Sequence, residues 1–573
     1  MPKLFRTFFW NPIFILVLAM NSSAFADEGM WLFNAPPLKQ LKDKYQFEPT
    51  PQWLDHLQKS SIRFNSGGSG SFVSANGLVI TNHHVGADTL QKLGDAQHNY
   101  LRDGFYARSQ ADEIKSTDLE LNVLISIEDV TARVNGAVKS GMTNDQASSA
   151  RNTVVAAIEK ESNDKTELRS DVVTLYQGGA YHLYRYKRYD DVRLVFAPEQ
   201  QMAFFGGDPD NFEYPRYDLD ICLFRVYENG QPAKVDNFLK WNSHGPSDGE
   251  LTFVSGSPGK TDRQLTLDEL ADTRDRWLPY LLRMFNRREV LELSYSARSF
   301  ENARKARDDL FGDQNNRKRY DGYLAGLVDP QIWSALKARE QKLRDAIGRD
   351  PKLRSTIAAY DRIKRAQAEI AKNAPVYNYL EQERPSTVGY RGPRALSGNL
   401  FKYARLLMRA VDERAKPNGE RIPMFRDSAH ESLELELFST EPIHDDYEIL
   451  RLTDSLTDFA GLYQRSAEHD NKPPFDLPQP WIDRKGSLEL STHFDFVSDA
   501  DIIGGNSGSP VVNKANEFVG IIFDGNIQSL VLDCIYTDTQ ARAVSVDSAA
   551  IIEALRKVYD AGALADELEG VTK

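Results

Sequence analysis

A serine lies between glycines in the sequence "GGNSGSP", at residues 504–510, and apolar segments flank it. On a tight glycine-flanked turn, a serine can expose its Oγ while nearby backbone N–H groups converge on one point, as an oxyanion hole requires. The pattern predicts that Ser507 is a nucleophile, with the N–H groups of Gly505 and Ser507 as oxyanion donors. For the heptapeptide alone, an ordinary Gly/Ser turn is the alternative.

A serine nucleophile needs a histidine base and a carboxylate that orients this base. His84 ends an apolar strand in "ITNHHV" and is the predicted base, whereas its neighbour His83 is predicted to have a supporting role. Asp220 stands at the start of the alternating strand in "PRYDLDICLFRVY" and is the predicted orienting carboxylate. Asp218, two residues earlier on the same face, is the competitor. The order His84, Asp220, Ser507 is typical of the chymotrypsin class.

Strand-like segments carry the histidine and the aspartate. Residues 66–85, "SGGSGSFVSANGLVITNHHV", predict two strands joined at Asn76-Gly77, because this dipeptide supplies the positive φ of a hairpin turn. Further strands are predicted in "DVRLVFAP", "LDICLFRVY" and "LTFVSGSP", where β-branched and aromatic residues lie between turn formers. This part of the chain predicts a β-barrel or a β-sandwich.

Residues 265 to about 470 predict a helical segment inserted into the β framework. They are rich in Arg, Lys, Glu, Leu and Ala, and apolar residues recur at helical spacing, as at Leu336, Leu343 and Ile347. Asp350-Pro351 predicts the start of the next helix, since aspartate caps a helix and proline suits its first turn. The proline-rich residues 471–481 predict the exit from the insertion.

The first 26 residues predict a secretory signal peptide. Lys3 and Arg6 precede an apolar stretch, which is followed by Ala24-Phe25-Ala26. This last pattern is typical of a signal cleaved after Ala26, so the mature chain is expected to begin at Asp27. A single transmembrane anchor is the alternative, although Asn11-Pro12 interrupts a stretch that is already short for a bilayer. The predicted location is the periplasm or the medium, with no stable membrane insertion after the signal is removed.

Charge and cysteine content restrict the partners and the cross-links. The formal charge is −13, and loss of Lys3 and Arg6 with the signal makes it −15, which argues against nucleic acid and anionic membranes as partners. The chain has two cysteines, Cys222 and Cys534. The sequence is compatible with one disulfide between them or with two buried free thiols. No metal-ligand spacing is visible in the sequence, and serine peptidase chemistry needs no cofactor.

The motifs named above resemble those of the bacterial periplasmic dipeptidyl-peptidases, a family of serine peptidases. The resemblance extends from "FNSGGSGSFVSANGLVITNHHV" through "YKRYDDVRLVFAP", "FGGDPDNFEYPR" and "GGNSGSPVV" to "FDGN" and "RAVSVDS". It implies a chymotrypsin-like double β-barrel with an inserted α-helical cap, and the triad His84, Asp220 and Ser507. The expected boundaries are 1–26 for the signal, 27–264 and 481–573 for the two parts of the catalytic domain, and 265–480 for the helical insertion.

The same resemblance implies a site for the free amino terminus of a peptide. The family binds this group through an asparagine, an aromatic residue and an aspartate, which match Asn211, Phe212 and Asp524; we call these three residues the amine anchor. Phe212 stands where the family usually has tryptophan. A buried ammonium needs a carboxylate and further acceptors, which agrees with these residue types. From the sequence "GGDPDN" alone, a tight acidic loop or a calcium site is the alternative.

The position after Asp524 bears on specificity. Family members selective for acidic P1 side chains have arginine there, and members that accept hydrophobic ones have glycine; here the residue is Gly525. The resemblance therefore implies release of dipeptides with a hydrophobic P1 residue from oligopeptides with a free amino terminus, by an enzyme that forms homodimers. The insertion is shorter than in the best-known members, so a secreted endopeptidase of the glutamyl-endopeptidase kind is an alternative. A non-catalytic peptide-binding protein is another.

Overall fold

Two β-sheets form the framework of the protein. The computed structural model describes residues 28–95, 97–380, 416–417 and 456–571, so the predicted signal segment lies outside it. The strands of the first sheet are β1 (Ser61–Phe64), β2 (Ser69–Phe72), β3 (Leu78–Thr81), β4 (Phe105–Tyr106), β5 (Ile114–Lys115), β6 (Leu121–Asp129), β7 (Arg169–Leu175), β8 (Ala180–Tyr189), β9 (Val192–Ala197), β10 (Cys222–Glu228) and β11 (Gln231–Pro232). Their order is β4-β9-β10-β3-β2-β1-β6-β8-β7, with β5 paired to β9 and β11 to β10.

The second sheet is built mostly from the C-terminal part of the chain. Its strands are β12 (Lys240–Trp241), β13 (Phe253–Val254), β14 (Leu456–Asp458), β15 (His493–Ser498), β16 (Pro510–Val512), β17 (Glu517–Gly525) and β18 (Ala543–Asp547). Their order is β13-β16-β17-β18-β15-β14, and the short β12 pairs parallel with β17. All other pairs are antiparallel. Neither order returns to its first strand among the described residues, so the closed double barrel stays a prediction.

The predicted hairpin is present and ends at the candidate base. In the antiparallel pair β2–β3, Ser71 lies opposite Ile80 and Phe72 opposite Val79. Gly77 in the connecting turn has a φ of +70°, which glycine adopts without strain. The strand β3 then leads through Asn82 into a helix that begins with the two histidines.

Helices cover the sheets and form the insertion. Those of the first half are α1 (Leu38–Tyr45), α2 (Pro51–Ser60), α3 (His83–Leu93), α4 (Tyr100–Asp103), α5 (Thr131–Asn135), α6 (Asn144–Thr166), α7 (Gln200–Ala203) and α8 (Gly207–Asp210). The insertion contributes α9 (Leu267–Asp272), α10 (Leu278–Ser296), α11 (Phe300–Val328), α12 (Pro330–Arg349) and α13 (Ala358–Leu380), with a π-helical turn at Thr273–Trp277. The last helices are α14 (Phe459–Glu468), α15 (Gln479–Arg484), α16 (Ser548–Lys557) and α17 (Gly562–Leu568).

Short 3₁₀ turns complete the described elements, at Gln110–Asp112, Tyr176–Gly178, Arg354–Ile357, Lys485–Ser487 and Ile527–Asp533. None of the described helices has a stretch long and apolar enough to cross a membrane.

The predicted helix at Leu336, Leu343 and Ile347 is confirmed as α12, but the predicted helix start at Asp350-Pro351 is wrong. A turn and a 3₁₀ segment follow Asp350, and α13 begins only at Ala358. The Asp350 carboxylate accepts the N–H of Lys352 at 2.8 Å and so closes a local turn instead of capping a helix.

A large core joins the second sheet to the helices that follow the insertion. Phe459, Trp481 and Phe494 are fully buried in it. Strand β14 already pairs with β15, so the chain returns to the second sheet at Leu456, before the exit that the proline-rich residues predict. The domain boundaries thus stay a prediction, and residues 381–415 and 418–455 lie outside the described part.

Both cysteines are buried free thiols. Cys222 packs under α3, where a Cβ on Gly86 would lie 3.1 Å from its Sγ. Cys534 belongs to a small core between the insertion and the second sheet. Of the two possibilities that the sequence leaves open, the structure therefore has the unpaired one.

Candidate active site

The predicted nucleophile lies on a turn between the two sheets. Gly505 and Gly508 both have positive φ, and a Cβ on Gly508 would lie 2.0 Å from the carbonyl oxygen of Ser69. The carbonyl oxygen of Ser507 accepts the N–H of Ser69 at 2.7 Å, which ties the turn to strand β2 of the first sheet. Only glycine fits this close approach, so the glycines of "GGNSGSP" serve the shape of the turn.

An asparagine stabilises the turn from within. Asn506 is 5% exposed; its Oδ1 accepts the N–H of Ile503 at 3.0 Å, and its carbonyl oxygen accepts the N–H of Ser509 at 2.8 Å. In the described residues, the N–H groups of Gly505 and Ser507 donate to no other protein group. They are therefore available as the oxyanion donors that the sequence predicts.

His84 is the second residue of α3 and contacts Asp220 twice. Its Nδ1 lies 2.5 Å from Oδ2 of Asp220, and its backbone N–H donates to Oδ1 at 3.1 Å. The side chain of Asn82 donates to the carbonyl oxygen of Asp220 at 2.8 Å. These contacts fix the imidazole with Nε2 directed away from Asp220, as a general base requires.

The pKa of His84 is raised above its ordinary value of 6.5. Burial by itself lowers this pKa, but the charge of Asp220 and its hydrogen bond outweigh burial. His83 differs, because burial lowers its pKa to about 4 and its side chain is 3% exposed. A histidine kept neutral in this way fits the supporting role that the sequence predicts.

The structure brings Asp220, and not Asp218, to His84. Asp218 forms an ion pair with Arg216 at 2.6 Å, and its backbone N–H donates to Asp495 at 2.8 Å. Burial raises the pKa of Asp218 to about 7, although the charge of Arg216 lowers it in part. The two aspartates in "YDLD" thus have different partners, and the one that contacts His84 is the predicted Asp220.

The amine anchor joins two distant parts of the chain, the adjacent Asn211 and Phe212 on one side and Asp524 on the other. Asn211 ends α8 and is 4% exposed. The backbone N–H of Phe212 donates to Oδ2 of Asp524 at 3.0 Å, and Phe212 has a φ of +58°, which is uncommon for a residue with a side chain. Asp524 lies near the end of β17, at an irregularity in its pairing with β18. A strained residue held by a carboxylate is typical of a functional site.

Gly525 is the predicted specificity position, and it lines the same small cavity as Asp524. A Cβ there would lie 2.3 Å from Oγ of Ser529 and 3.2 Å from the carbonyl oxygen of Arg542. The backbone thus leaves no room for a side chain unless Ser529 moves. Glycine at this position therefore fits the local packing, in which Oγ of Ser529 occupies the space that a side chain would need.

Helix α11 of the insertion supplies contacts that the sequence does not reveal. Asn315 accepts the side-chain N–H of Asn211 at 3.1 Å, so the insertion reaches the amine anchor. The ammonium of Lys318 donates to the carbonyl oxygens of Asp208 and Pro209 at 2.8 and 2.9 Å. In "FGDQNNRKRY" nothing distinguishes these residues from an ordinary polar helix face, so no local pattern could have identified them.

Two cavities meet at the nucleophile. A small one of about 190 Å³ is lined by the triad, by the amine anchor and by Gly525. A large cleft of about 2560 Å³ contains His84, Gly505 and Ser507 at one place on its wall and extends along the first sheet. Ser507 and His84 thus line both a short pocket and a long cleft. Within the described part of the chain, no cluster of His, Cys, Asp and Glu could hold a metal ion.

Comparisons with known proteins give one consistent result. The family model "Peptidase S46" matches residues 26–459 and 450–570. A "Dipeptidyl-peptidase 7" of Capnocytophaga gingivalis is 23% identical over 704 residues, which cover 96% of this chain and 98% of that protein. An "Asp/Glu-specific dipeptidyl-peptidase" of Porphyromonas endodontalis is 32% identical over 283 residues, 46% of this chain and 40% of its own length.

A solved structure matches nearly the whole chain. The crystal structure of Porphyromonas endodontalis DPP11 in complex with the dipeptide Arg-Asp covers 95% of this chain and 99% of that protein, with a TM-score of 0.77 and 19% identity. At this identity the likeness shows the fold alone. Some relatives are named dipeptidyl-peptidase 7 and others Asp/Glu-specific dipeptidyl-peptidase. The second name indicates an acidic P1, so the comparisons do not support the predicted hydrophobic preference.

Proposed function

Because this chain belongs to the peptidase S46 family and is a serine peptidase, we propose that it releases dipeptides from the free amino terminus of oligopeptides. The observation that carries the proposal is the small cavity, whose wall includes Ser507, His84 and the whole amine anchor. A carboxylate in the wall of a small cavity favours substrates that bring an ammonium to it. The names of the relatives point to the same activity.

The proposed reaction is acyl transfer to Ser507. Oγ of Ser507 attacks the carbonyl carbon of the second peptide bond while Nε2 of His84 takes its proton. The N–H groups of Gly505 and Ser507 stabilise the oxyanion, and Asp220 stabilises the imidazolium that forms. His84 then gives the proton to the leaving amine. A water molecule attacks the acyl-enzyme, with His84 again as base, and the dipeptide is released.

The length of the product follows from the position of the amine anchor. Asp524 and Asn211 bind the ammonium, and Asn315 of the insertion completes the polar wall beside Asn211. The remainder of the peptide extends into the large cleft on the other side of Ser507. The insertion therefore helps to limit the product to two residues, although it is shorter than in the best-known family members.

The preference at P1 is the finer part of the proposal, and we infer a hydrophobic one. Its support is that Gly525 offers no cation, and that Ile502 and Ile503 line the same cavity. Arg319 also lines it but pairs with Asp533 at 3.1 Å, so its charge is compensated. The Asp/Glu-specific relatives point the other way. If acidic substrates prove better, Arg319 is the cation to replace.

Four fluorogenic dipeptides test both parts together. They combine a free or an acetylated amino terminus with leucine or aspartate at P1, and Ser507→Ala serves as the control for contaminating activity. We expect cleavage of the free forms only, with leucine preferred. Equal cleavage of free and acetylated forms would support an endopeptidase of the glutamyl-endopeptidase kind, and Ser507→Ala with full activity would contradict the triad.

Three broader predictions belong to the same proposal. We predict export to the periplasm from the signal pattern at residues 1–26. We predict homodimer formation from the family resemblance. A closed chymotrypsin-like double barrel would unite the two sheets, since the nucleophile comes from the second sheet and His84 and Asp220 from the first. A non-catalytic binding protein is disfavoured because all three triad residues are present.

A further inference from the structure

Arg216 is a buried arginine between the amine anchor and the triad, and the proposed reaction assigns it no role. It lies between Asn211 and Asp220 in sequence, and its side chain is 2% exposed. One of its terminal nitrogens, Nη1, binds Oδ2 of Asp524, and the other, Nη2, binds Oδ2 of Asp218 at 2.6 Å. Its guanidinium lies 5.2 Å from the ring centre of Phe523. One cation thus connects a carboxylate of the amine anchor to the segment that carries Asp220.

The two oxygens of Asp524 have different partners. Oδ2 accepts from Arg216 and from the backbone N–H of Phe212, at 3.0 Å for the latter. Oδ1 accepts the backbone N–H of Gly525 at 2.9 Å. Because two donors converge on Oδ2, they fix the rotation of the carboxylate and leave Oδ1 as the oxygen with capacity for another donor. A substrate ammonium is such a donor.

Three buried carboxyl groups lie near Arg216, which carries one positive charge. Asp218 and Asp524 bind it directly, and Asp495 accepts the backbone N–H of Asp218 at 2.8 Å. Asp495 is fully buried, and burial raises its pKa well above the ordinary value. A buried carboxylate needs a cation or several donors, and removal of the cation leaves it uncompensated. The ammonium of the substrate would add a second positive charge at this place.

We propose that Arg216 is a positioning residue for amino-terminus recognition: it orients Asp524 so that one oxygen faces the ammonium, and ties it to the segment of Asp220. The inference rests on the proposed function, because it needs a substrate with a free amino terminus. Arg216 itself touches neither the scissile bond nor the nucleophile. Its loss is therefore expected to weaken substrate binding more than the chemistry of Ser507.

The chain contains a matched control for loss of a buried arginine. Arg225 is 3% exposed and also bridges two carboxylates, Glu113 at 2.9 Å and Glu567 at 2.7 Å. It lines neither of the two described cavities. Arg225→Met and Arg225→Lys remove a bridge of the same kind away from the site, so they report what the stability loss alone does to activity.

The test compares an assay that needs the ammonium with one that does not. The first assay measures kcat and KM for a free-amino fluorogenic dipeptide and for its acetylated form. The second measures the rate at which diisopropyl fluorophosphate, which has no amino group, labels Ser507. For Arg216→Met we expect KM of the free form to rise about 30-fold or more, with labelling within about threefold of the unaltered enzyme. Arg216→Lys should recover part of the loss, because lysine keeps the charge but not the two-ended bridge.

Each outcome decides the matter. Equal losses in hydrolysis and labelling, or an unchanged preference for the free form, would overturn the role of Arg216, as would the same KM increase in Arg225→Met. If Arg216→Met does not fold, Arg216→Lys carries the same comparison. An unaltered enzyme that cleaves free and acetylated forms equally would remove the proposed function and this inference together. A preference that is present in the unaltered enzyme but untouched by both Arg216 variants would remove the inference alone.

Discussion

The catalytic half of the site is held largely by backbone contacts, whereas the amine anchor is held by buried charged side chains. Around Ser507 and His84, the contacts are turns, a helix start and N–H groups that donate to neighbouring oxygens. Around Asp524 and Asn211, two backbone N–H groups also donate, but Arg216 and Asn315 add side-chain contacts, and Lys318 binds the loop just before Asn211.

We therefore expect the catalytic half to determine the rate of the chemical step and the amine anchor to determine which substrates bind. The nucleophile turn and the start of α3 follow mostly from nearby residues, and two long-range backbone N–H contacts, Ser69 to Ser507 and His84 to Asp220, hold them in place. A network of buried charges depends on every partner, because removal of one partner leaves another uncompensated. Substitutions in the two halves should therefore produce different kinetic signatures, in kcat for the first and in KM for the second.

The largest expected effect lies in the catalytic half. Asp220→Asn should lower kcat by about 10⁴-fold, because the amide no longer selects the productive tautomer of His84. Asp218→Asn is the matched control two residues away and should lose only about 10- to 100-fold, since Asp218 acts through Arg216. Steady-state hydrolysis of a free-amino dipeptide measures both. Equal losses would mean that the assignment of Asp220 over Asp218 is wrong.

A smaller effect is expected at the amine anchor. Asp524→Asn keeps the shape of the side chain but removes the charge that faces the ammonium, so kcat/KM for free-amino substrates should fall about 100- to 1000-fold. The rate of Ser507 labelling should be nearly unchanged. As control, Asp191→Asn removes a carboxylate that pairs with Arg193 outside both described cavities. A loss confined to kcat would count against the anchor.

The insertion should matter less than Asp524, because it contacts the amine anchor through Asn211 and the loop before it. Lys318 is 2% exposed, and Lys318→Met removes the donor that holds the carbonyls of Asp208 and Pro209. We expect KM to rise about tenfold, which corresponds to ~1.4 kcal/mol. Lys364→Met on α13, whose ammonium is 4.0 Å from Asp268 at an exposed site, should leave KM unchanged. The same KM for both variants would show that α11 does not support the loop.

The smallest effect is a shift of the pH profile. His84 acts as a base only when neutral, and its pKa is raised above 6.5, so lowering the pH protonates it earlier than an ordinary histidine. At pH 6.5, kcat/KM should therefore be below about half of its plateau value. Glu213→Gln is the control, because burial raises the pKa of Glu213 to about 7 nearby. An acid midpoint at or below 6.5, or one that disappears in Glu213→Gln, would contradict the assignment to His84.

Much of the catalytic half was predictable from the sequence. The side-chain contacts that hold the amine anchor were mostly not predictable. The hairpin at Asn76-Gly77, the glycines around Ser507 and the long helix α12 all follow local rules of turn chemistry and periodicity. The helix start at Asp350-Pro351 failed under the same rules, because a capping side chain can equally close a turn. The strand orders of the two sheets, with neighbours far apart in sequence, carry no local signal at all.

By itself, the sequence predicted the triad residues and their order, which can be read directly from the chain, and the glycines of the nucleophile turn, which depend on residues within a few positions. Only the tertiary structure decided that Asp220 and not Asp218 meets His84, that the cysteines stay unpaired, and that Arg216, Asn315 and Lys318 support the amine anchor. These outcomes depend on side chains that meet across long stretches of chain. Burial and charge pairing select them only after the sheets and the insertion have packed together.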